Sequence, residues 1–192
     1  MTLNGKKIGF GLTASFCTLP LIIEPLRAIK DLGADIYPVV SNEVFANSSR
    51  FHDKDEFLRA IREITGKKEM ATIAEAETLG PQNPMDLMII APASGNTIAK
   101  LAHGIWDTPV LTAAKSTLRN GKPVLIALFT NDALGMNGVN IMKLYNTKNI
   151  FFVPFGQDDP QAKPTSMTAD LSRMADAALC ALENRQIQPA LT

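Results

Sequence analysis

Cysteine, histidine and tryptophan are all scarce in this chain of 192 residues, and its formal net charge is zero. Two cysteines, Cys17 and Cys180, supply neither a disulfide framework nor a thiolate metal cluster. The only two histidines, His52 and His103, are too far apart in sequence for a metal-ligand pattern. No histidine stands beside either cysteine to activate it, so both read as packing residues. Nineteen acidic side chains against nineteen basic ones leave no electrostatic footprint for nucleic acid or an anionic membrane surface. No uninterrupted apolar run approaches the roughly 18–20 residues of a membrane span. The opening "MTLNGKKIGFGLT" leads straight into a strand pattern, without an apolar stretch ahead of a small-residue cleavage site. The expectation is a cytoplasmic protein that binds neither nucleic acid, membrane nor metal.

What is abundant is apolar sequence, 46% of the residues, enough for a layered core. "KKIGFGLT" reads as a first strand and "LIIEPLRAIKDLG" as a helix closed by Gly33, with Pro25 kinking it or marking a later start. "ADIYPVVS" follows as a strand, awkward in a central position because of Pro38. "KDEFLRAIREITG" places Phe57, Leu58, Ile61 and Ile64 on one helical stripe. "MDLMIIAP" suits a strand buried on both faces, and "NTIAKLAHGI" returns to the helical period. The helix "TPVLTAAKSTLRNG", the strand "KPVLIALFT", the short helix "GVNIMKLYNT" and the strand "NIFFVPF" complete the alternation. "GQDDPQAKPTS" reads as a long polar loop, a lid or partner-binding segment, and "TADLSRMADAALCALENR" as a last amphipathic helix. The tail "QIQPALT" is either mobile or docked on a partner subunit. Such alternation predicts one α/β domain over residues 1–192, a doubly wound, mainly parallel sheet of the Rossmann or flavodoxin type with helices on both faces.

In open sheets of this kind ligands bind at the carboxyl ends of the strands, and three strand ends carry suitable residues. Gly9, Gly11 and Ala14 match a G-x-G-x-x-A dinucleotide fingerprint. Its usual acidic partner is missing, since the second strand ends in Val40-Ser41-Asn42 with Glu43 beyond. A hydroxyl there suits a phosphate or a ribityl chain better than a ribose diol. The third strand ends in Pro92-Ala93-Ser94-Gly95-Asn96-Thr97, either an ordinary turn with Ser94 or Asn96 as helix cap or a ligand loop. Gly11, Thr13, Ala14 and Ser41 are therefore the candidate phosphate side of a cleft, with Ala93, Ser94, Asn96 and Thr97 as candidates for its other side. His103 reads as a helix C-terminal cap and His52, in "SSRFHDKDEF", as solvent-exposed. Asp158 and Asp159 read as turn formers, and Arg50, Lys115, Arg119 and Lys163 as dispersed cations. No catalytic residue can be assigned.

"APASGNTIAKLAHGI" resembles the P-A-S-x-N-T motif of the flavin-containing decarboxylase family, which includes phosphopantothenoylcysteine and peptidyl-cysteine decarboxylases and flavin prenyltransferases. "GLTAS" is similar to that family's phosphate turn and "VVS" to its second-strand serine. "VVSNEVFANSSRFHDKDEF", "PVLTAAKSTLRNGKPVLIAL" and above all "TNDALGMNGVNIMKLYNTKNIFFVPFGQDDP" resemble the family's dipicolinate synthase branch, known from endospore formers. Thr112 stands where the prenyltransferases carry an arginine, and "TNDALGMN" replaces the decarboxylases' P-x-M-N. The resemblance implies FMN as cofactor, held by small residues through which the backbone approaches a flat ring. It also implies a partner, the A subunit of dipicolinate synthase, which carries NAD(P). With it the chain would oxidise dihydrodipicolinate, a small dicarboxylate, to dipicolinate in the mother cell of a sporulating bacterium. The alternatives are a free-standing FMN-dependent decarboxylase and a non-catalytic scaffold subunit. Relatives form trimers and dodecamers, and the apolar helix "TPVLTAAKSTL" suggests a homo-oligomer.

Overall fold

The apolar run "LMIIA" lies in β3 (Leu87–Ala93), buried along its whole length at the centre of the sheet. The structure is a computed structural model describing residues 2–192. On one side of β3 lie β1 (Lys7–Leu12) and then β2 (Asp35–Val40); on the other lie β4 (Val124–Thr130) and β5 (Ile150–Phe152), all five parallel. The order β2-β1-β3-β4-β5 is the flavodoxin-like, doubly wound order, with its switch point between β1 and β3. Pro38 is tolerated because β2 is an outer strand. Its carbonyl accepts from Met70 N at 2.9 Å, so the backbone position that lacks a donor faces away from β1.

Helices cover both faces. α1 (Ile23–Asp31) packs against α3 (Lys54–Thr65) and α8 (Met174–Leu182) on one side. On the other, α6 (Pro109–Arg119) crosses the parallel strands, flanked by α4 (Ile73–Glu77) and α5 (Gly95–Ala102), and α5 packs on α7 (Gly138–Tyr145). Pro25 marks a later helix start, one of the two alternatives that the sequence leaves open: a 3-10 turn, Leu19–Ile22, precedes α1. α3 opens on Asp53, whose carboxylate accepts two backbone amides, and closes on Gly66 at φ 71°. Two short helices escape the sequence pattern: α2 (Asn42–Ala46), capped by Ser41, and α4, closed at its start by a Thr72–Glu75 capping box. No helix among the described residues is long and apolar enough to cross a membrane.

Three expectations need correction. "GQDDPQAKPTS" is an antiparallel hairpin, not a loop: β6 (Phe155–Asp159) and β7 (Lys163–Ala169) pair with each other, and β7 also pairs with the end of β4. Asp159 folds the turn by accepting the amides of Gln161 and Ala162. "NIFFVPF" is accordingly two strands, β5 and β6, parted at Val153-Pro154. The helix "TPVLTAAKSTL" spends its apolar face at home, with Val110, Leu111, Ala113 and Ala114 buried beneath it. An apolar surface that does stay exposed lies at α7 and the turn before it, where Met136, Val139 and Met142 are spaced by three.

The outer strands are met by short pieces of chain. Met70 bonds to β2 through two backbone hydrogen bonds, to Pro38 and Val40. The side-chain amide of Gln186 takes the N–H and the carbonyl of Phe152 in β5. The tail, expected to be mobile or docked on a partner, lies on its own chain, where Phe155 of β6 bonds to Ala190 and Thr192.

Candidate functional site

At the carboxyl edge the turns after β1, β3 and β4 and the β6–β7 hairpin enclose an open cleft of about 990 Å³. The turn after β1 runs into the 3-10 helix and contributes Ala14, Ser15, Phe16 and Cys17. The β3 turn contributes Ser94, Gly95 and Asn96 at the start of α5. The far wall is Phe129 to Asp132 and Asn137, with Asp158, Lys163, Ser166 and Thr168 from the hairpin and Asp170 to Ser172 beyond it.

Of the eight residues expected from the sequence, Ala14, Ser94 and Asn96 line this cleft and the other five do not. Thr13, buried, donates its hydroxyl to Pro92 O at 2.7 Å and accepts Ser94 N at 3.0 Å. Ser94 is the cap of α5, its Oγ accepting from Thr97 N and lying 3.0 Å from Thr97 Oγ1. Ser41 caps α2 through Val44 N at 3.4 Å. Ala93 ends β3 after a break in the β3–β4 register. Gly11 is close-packed: a Cβ there would come within 2.7 Å of both Met88 Cε and Val110 Cγ1. Its missing side chain therefore makes room for the protein's own core.

A polar network that sequence reasoning missed backs the α5 terminus. Thr130 Oγ1 donates to Asp132 Oδ1 at 2.5 Å, and Asn137 Nδ2 reaches both oxygens of the same carboxylate at 3.0 and 2.8 Å. Gly95 abuts this network, since a Cβ would fall 2.5 Å from Thr130 Oγ1 and 3.0 Å from Asp132 Oδ1. The signal was present: "FTNDALGMN" follows a buried strand with the same turn residues that drew attention to the β3 turn. The hairpin is pinned to this turn by Thr165 Oγ1, donating to Asn131 O at 2.6 Å, and by Ser166 Oγ, donating to Asn131 Oδ1 at 3.3 Å. Lys163 forms an ion pair with Asp158 at 2.7 Å, so Asp158 is more than the turn former expected, whereas Asp159 is one.

His103 caps α5 as expected, with Nδ1 2.9 Å from Ala99 O. His52 is not solvent-exposed. Its ring stacks on Phe16 at 5.6 Å and meets the edge of Phe57 at 5.5 Å. Nδ1 lies 2.9 Å from Ser49 Oγ, while Nε2 is buried with no hydrogen-bond partner. Burial lowers its pKa below the ordinary imidazole value, against an opposing pull from Asp53. Through Phe16, a cleft residue, His52 supports the rim without lining the cleft. Arg50 lies over the Phe51 ring at 4.6 Å, next to the mouth.

The cleft thus offers hydroxyls, side-chain amides, the start of a helix and several apolar surfaces, with one cation. Its chemistry is that of holding and orienting a polar, partly flat molecule.

The Flavoprotein family model matches residues 1–178. The B subunit of dipicolinate synthase from Bacillus subtilis (strain 168) is 46% identical over 190 residues, which cover 99% of this chain and 95% of that protein. The crystal structure of the corresponding B subunit from Bacillus halodurans superposes with a TM-score of 0.93 at 44% identity, covering 100% of this chain and 98% of that one. The FMN-dependent cysteine decarboxylase SpaF shares the fold alone, with a TM-score of 0.66 at 22% identity over 94% of this chain and 99% of its own.

Proposed function

The chain belongs to the Flavoprotein family, and from that premise we propose that it serves as the B subunit of a dipicolinate synthase in the cytoplasm of a sporulating mother cell. The observation that carries this reading is similarity along nearly the full length of both proteins, at 46% identity. The reaction removes a hydride and a proton from dihydrodipicolinate, leaving aromatic dipicolinate. NAD(P)⁺ on the partner, the synthase's A subunit, would supply the acceptor for the hydride, and the proton would go to solvent. Aromatisation makes the step easy, so the protein's task is to hold the ring in place and keep it oriented.

A flavin fits the cleft in part. Ser15, Ser94 and Asn96 offer donors and acceptors, and Phe16, Leu21, Phe51 and Leu171 offer apolar surface for a ring. Thr13 and Ser41 already spend their hydroxyls within the chain. Bound FMN would supply a two-electron acceptor, and Ser15, Ser94 and Asn96 are the residues that would hold it. The engaged Thr13 and Ser41 favour a second reading, in which the chain shapes the site for its NAD(P)-binding partner and carries no redox group.

Each of the two chains purified alone and the reconstituted pair, assayed for dipicolinate formation, test the proposal. Activity in the pair and in neither chain alone is the expected result. Full activity of the NAD(P)-binding chain by itself would overturn it. Absorbance of the purified protein in the flavin bands separates the two readings.

A further inference from the structure

The cleft has a charge problem. Four charged residues line it: Asp132, Asp158, Asp170 and a single cation, Lys163. A small dicarboxylate entering such a place meets more like charge than opposite charge. The three carboxylates are not equivalent, however. Asp132 is held by Thr130 and Asn137, and Asp170 accepts the amide and hydroxyl of Ser172. Asp158 alone is matched to a cation, and that pair sits at the mouth, with the side chains of Lys163 and Asp158 54% and 33% exposed.

We propose that Lys163 is the carboxylate-docking residue of this cleft, and that Asp158 parks its ammonium group until a substrate carboxylate replaces it. The proposal rests on the dicarboxylate reading above, in the form in which the chain carries no flavin. The backbone of Lys163 is fixed: it pairs with Asp159 across the hairpin, the turn is closed by Asp159, and the strand is pinned to Asn131 two residues later. Only the flexible stem moves, so its ammonium swings over the mouth from a firm base. An ammonium has three donors and Asp158 occupies one, which leaves room for exchange without stranding the charge. Solvent-exposed pairs are weak, so the exchange is easy in either direction. Among the lining residues there is no second cation. The other carboxylate therefore falls to neutral donors, of which Asn96, Asn131 and Ser94 are at hand. The site should thus distinguish the two carboxylates of a nearly symmetrical ligand, and so fix which edge of the ring faces the NAD(P)-binding partner.

The test is calorimetric titration of pyridine-2,6-dicarboxylate into the complex with that partner, for wild type, Lys163→Met, Lys163→Arg and Asp158→Asn, with KM and kcat measured on each. Lys163→Met should weaken binding by about tenfold or more and raise KM. Lys163→Arg should restore most of the affinity, and Asp158→Asn, which removes the competing carboxylate, should tighten it. Wild-type affinity should fall with added salt, and that dependence should be shallower in Lys163→Met. Equal affinities in wild type and Lys163→Met overturn the role of Lys163 and leave the functional reading standing. A wild-type complex that binds none of the dicarboxylate overturns both.

Discussion

Thr13 accepts the backbone amide of Ser94 at 3.0 Å through the same hydroxyl that donates to Pro92 O. One buried side chain thus ties the turn after β1 to the turn after β3. Two walls of the cleft are held as one piece.

Thr13→Val keeps the shape and removes both bonds, taking this partner from the part-buried Ser94 amide and the Pro92 carbonyl. The loss should be about 1–3 kcal/mol of stability, read by urea denaturation. It should be accompanied by weaker binding of any ligand that spans Ser15 and Ser94. A variant as stable as wild type would show the bridge to be dispensable.

Gly95→Ala tests how tightly α5 abuts the β4 turn. The new methyl group would displace Thr130, Asp132 or Asn137, at a cost typical of overpacking, about 1–3 kcal/mol. Dicarboxylate binding should fall in parallel, because Asn96 is carried on the same turn. An unaltered melting temperature would contradict this geometry.

Acid should loosen the rim before the rest of the molecule. His52 titrates below its ordinary value of 6.5 in the folded protein because burial disfavours the cation. The unfolded chain then binds the proton more readily, so this contribution is complete above pH 6.5 and is lost as pH falls through the lowered folded value. Carboxylates held low by their partners, such as Glu69 beside Arg62, weaken the fold only in the more acidic range below 4.5. Melting temperature measured from about pH 7.5 to about pH 5 should therefore decline in wild type and stay flatter in His52→Gln. Parallel profiles would remove His52 from the account.

Glu69 is buried, and its carboxylate accepts two hydrogen bonds from Arg62, at 2.7 and 2.6 Å. Burial pushes its carboxyl up, yet the arginine outweighs burial and holds it below the usual range. Arg62→Met strands that charge and should cost about 2–3 kcal/mol, less than the roughly 3–5 kcal/mol of breaking a fully buried pair, because Arg62 is half in water. Denaturant titration at neutral pH reads the loss, and adding Glu69→Gln to the variant should recover part of it.

The exposed Met136, Val139 and Met142 make up an apolar surface of the kind that joins protein chains. Light scattering at micromolar concentration should give an oligomeric mass for wild type and smaller species for Val139→Glu. An unchanged mass would place the contact between copies elsewhere.

The parallel sheet was legible because β1, β3 and β4 are buried on both faces and so written as unbroken apolar runs. The β6–β7 hairpin was not. Its residues are polar, exposed at the tip and include Pro164, and its pairing depends on the distant end of β4. Part of the cleft's far wall went unread with it. The hydroxyls of Thr13 and Ser41 were correctly placed at strand ends, but sequence does not say whether a hydroxyl turns outward or toward its own backbone. His52 misled for a related reason: its sequence neighbours are polar, while the rings that bury it come from the β1 turn and α3.

The pieces that meet β2, β5 and β6 bear on how this protein survives in a crowded cell. A bare strand border is a template on which another chain can crystallise as fibre. Here Met70 with Pro38, the amide of Gln186 and the last residues of the tail interrupt those borders. Growth by adding strand to strand is thereby discouraged, and neighbours are left to dock on side-chain surfaces, which select their partners.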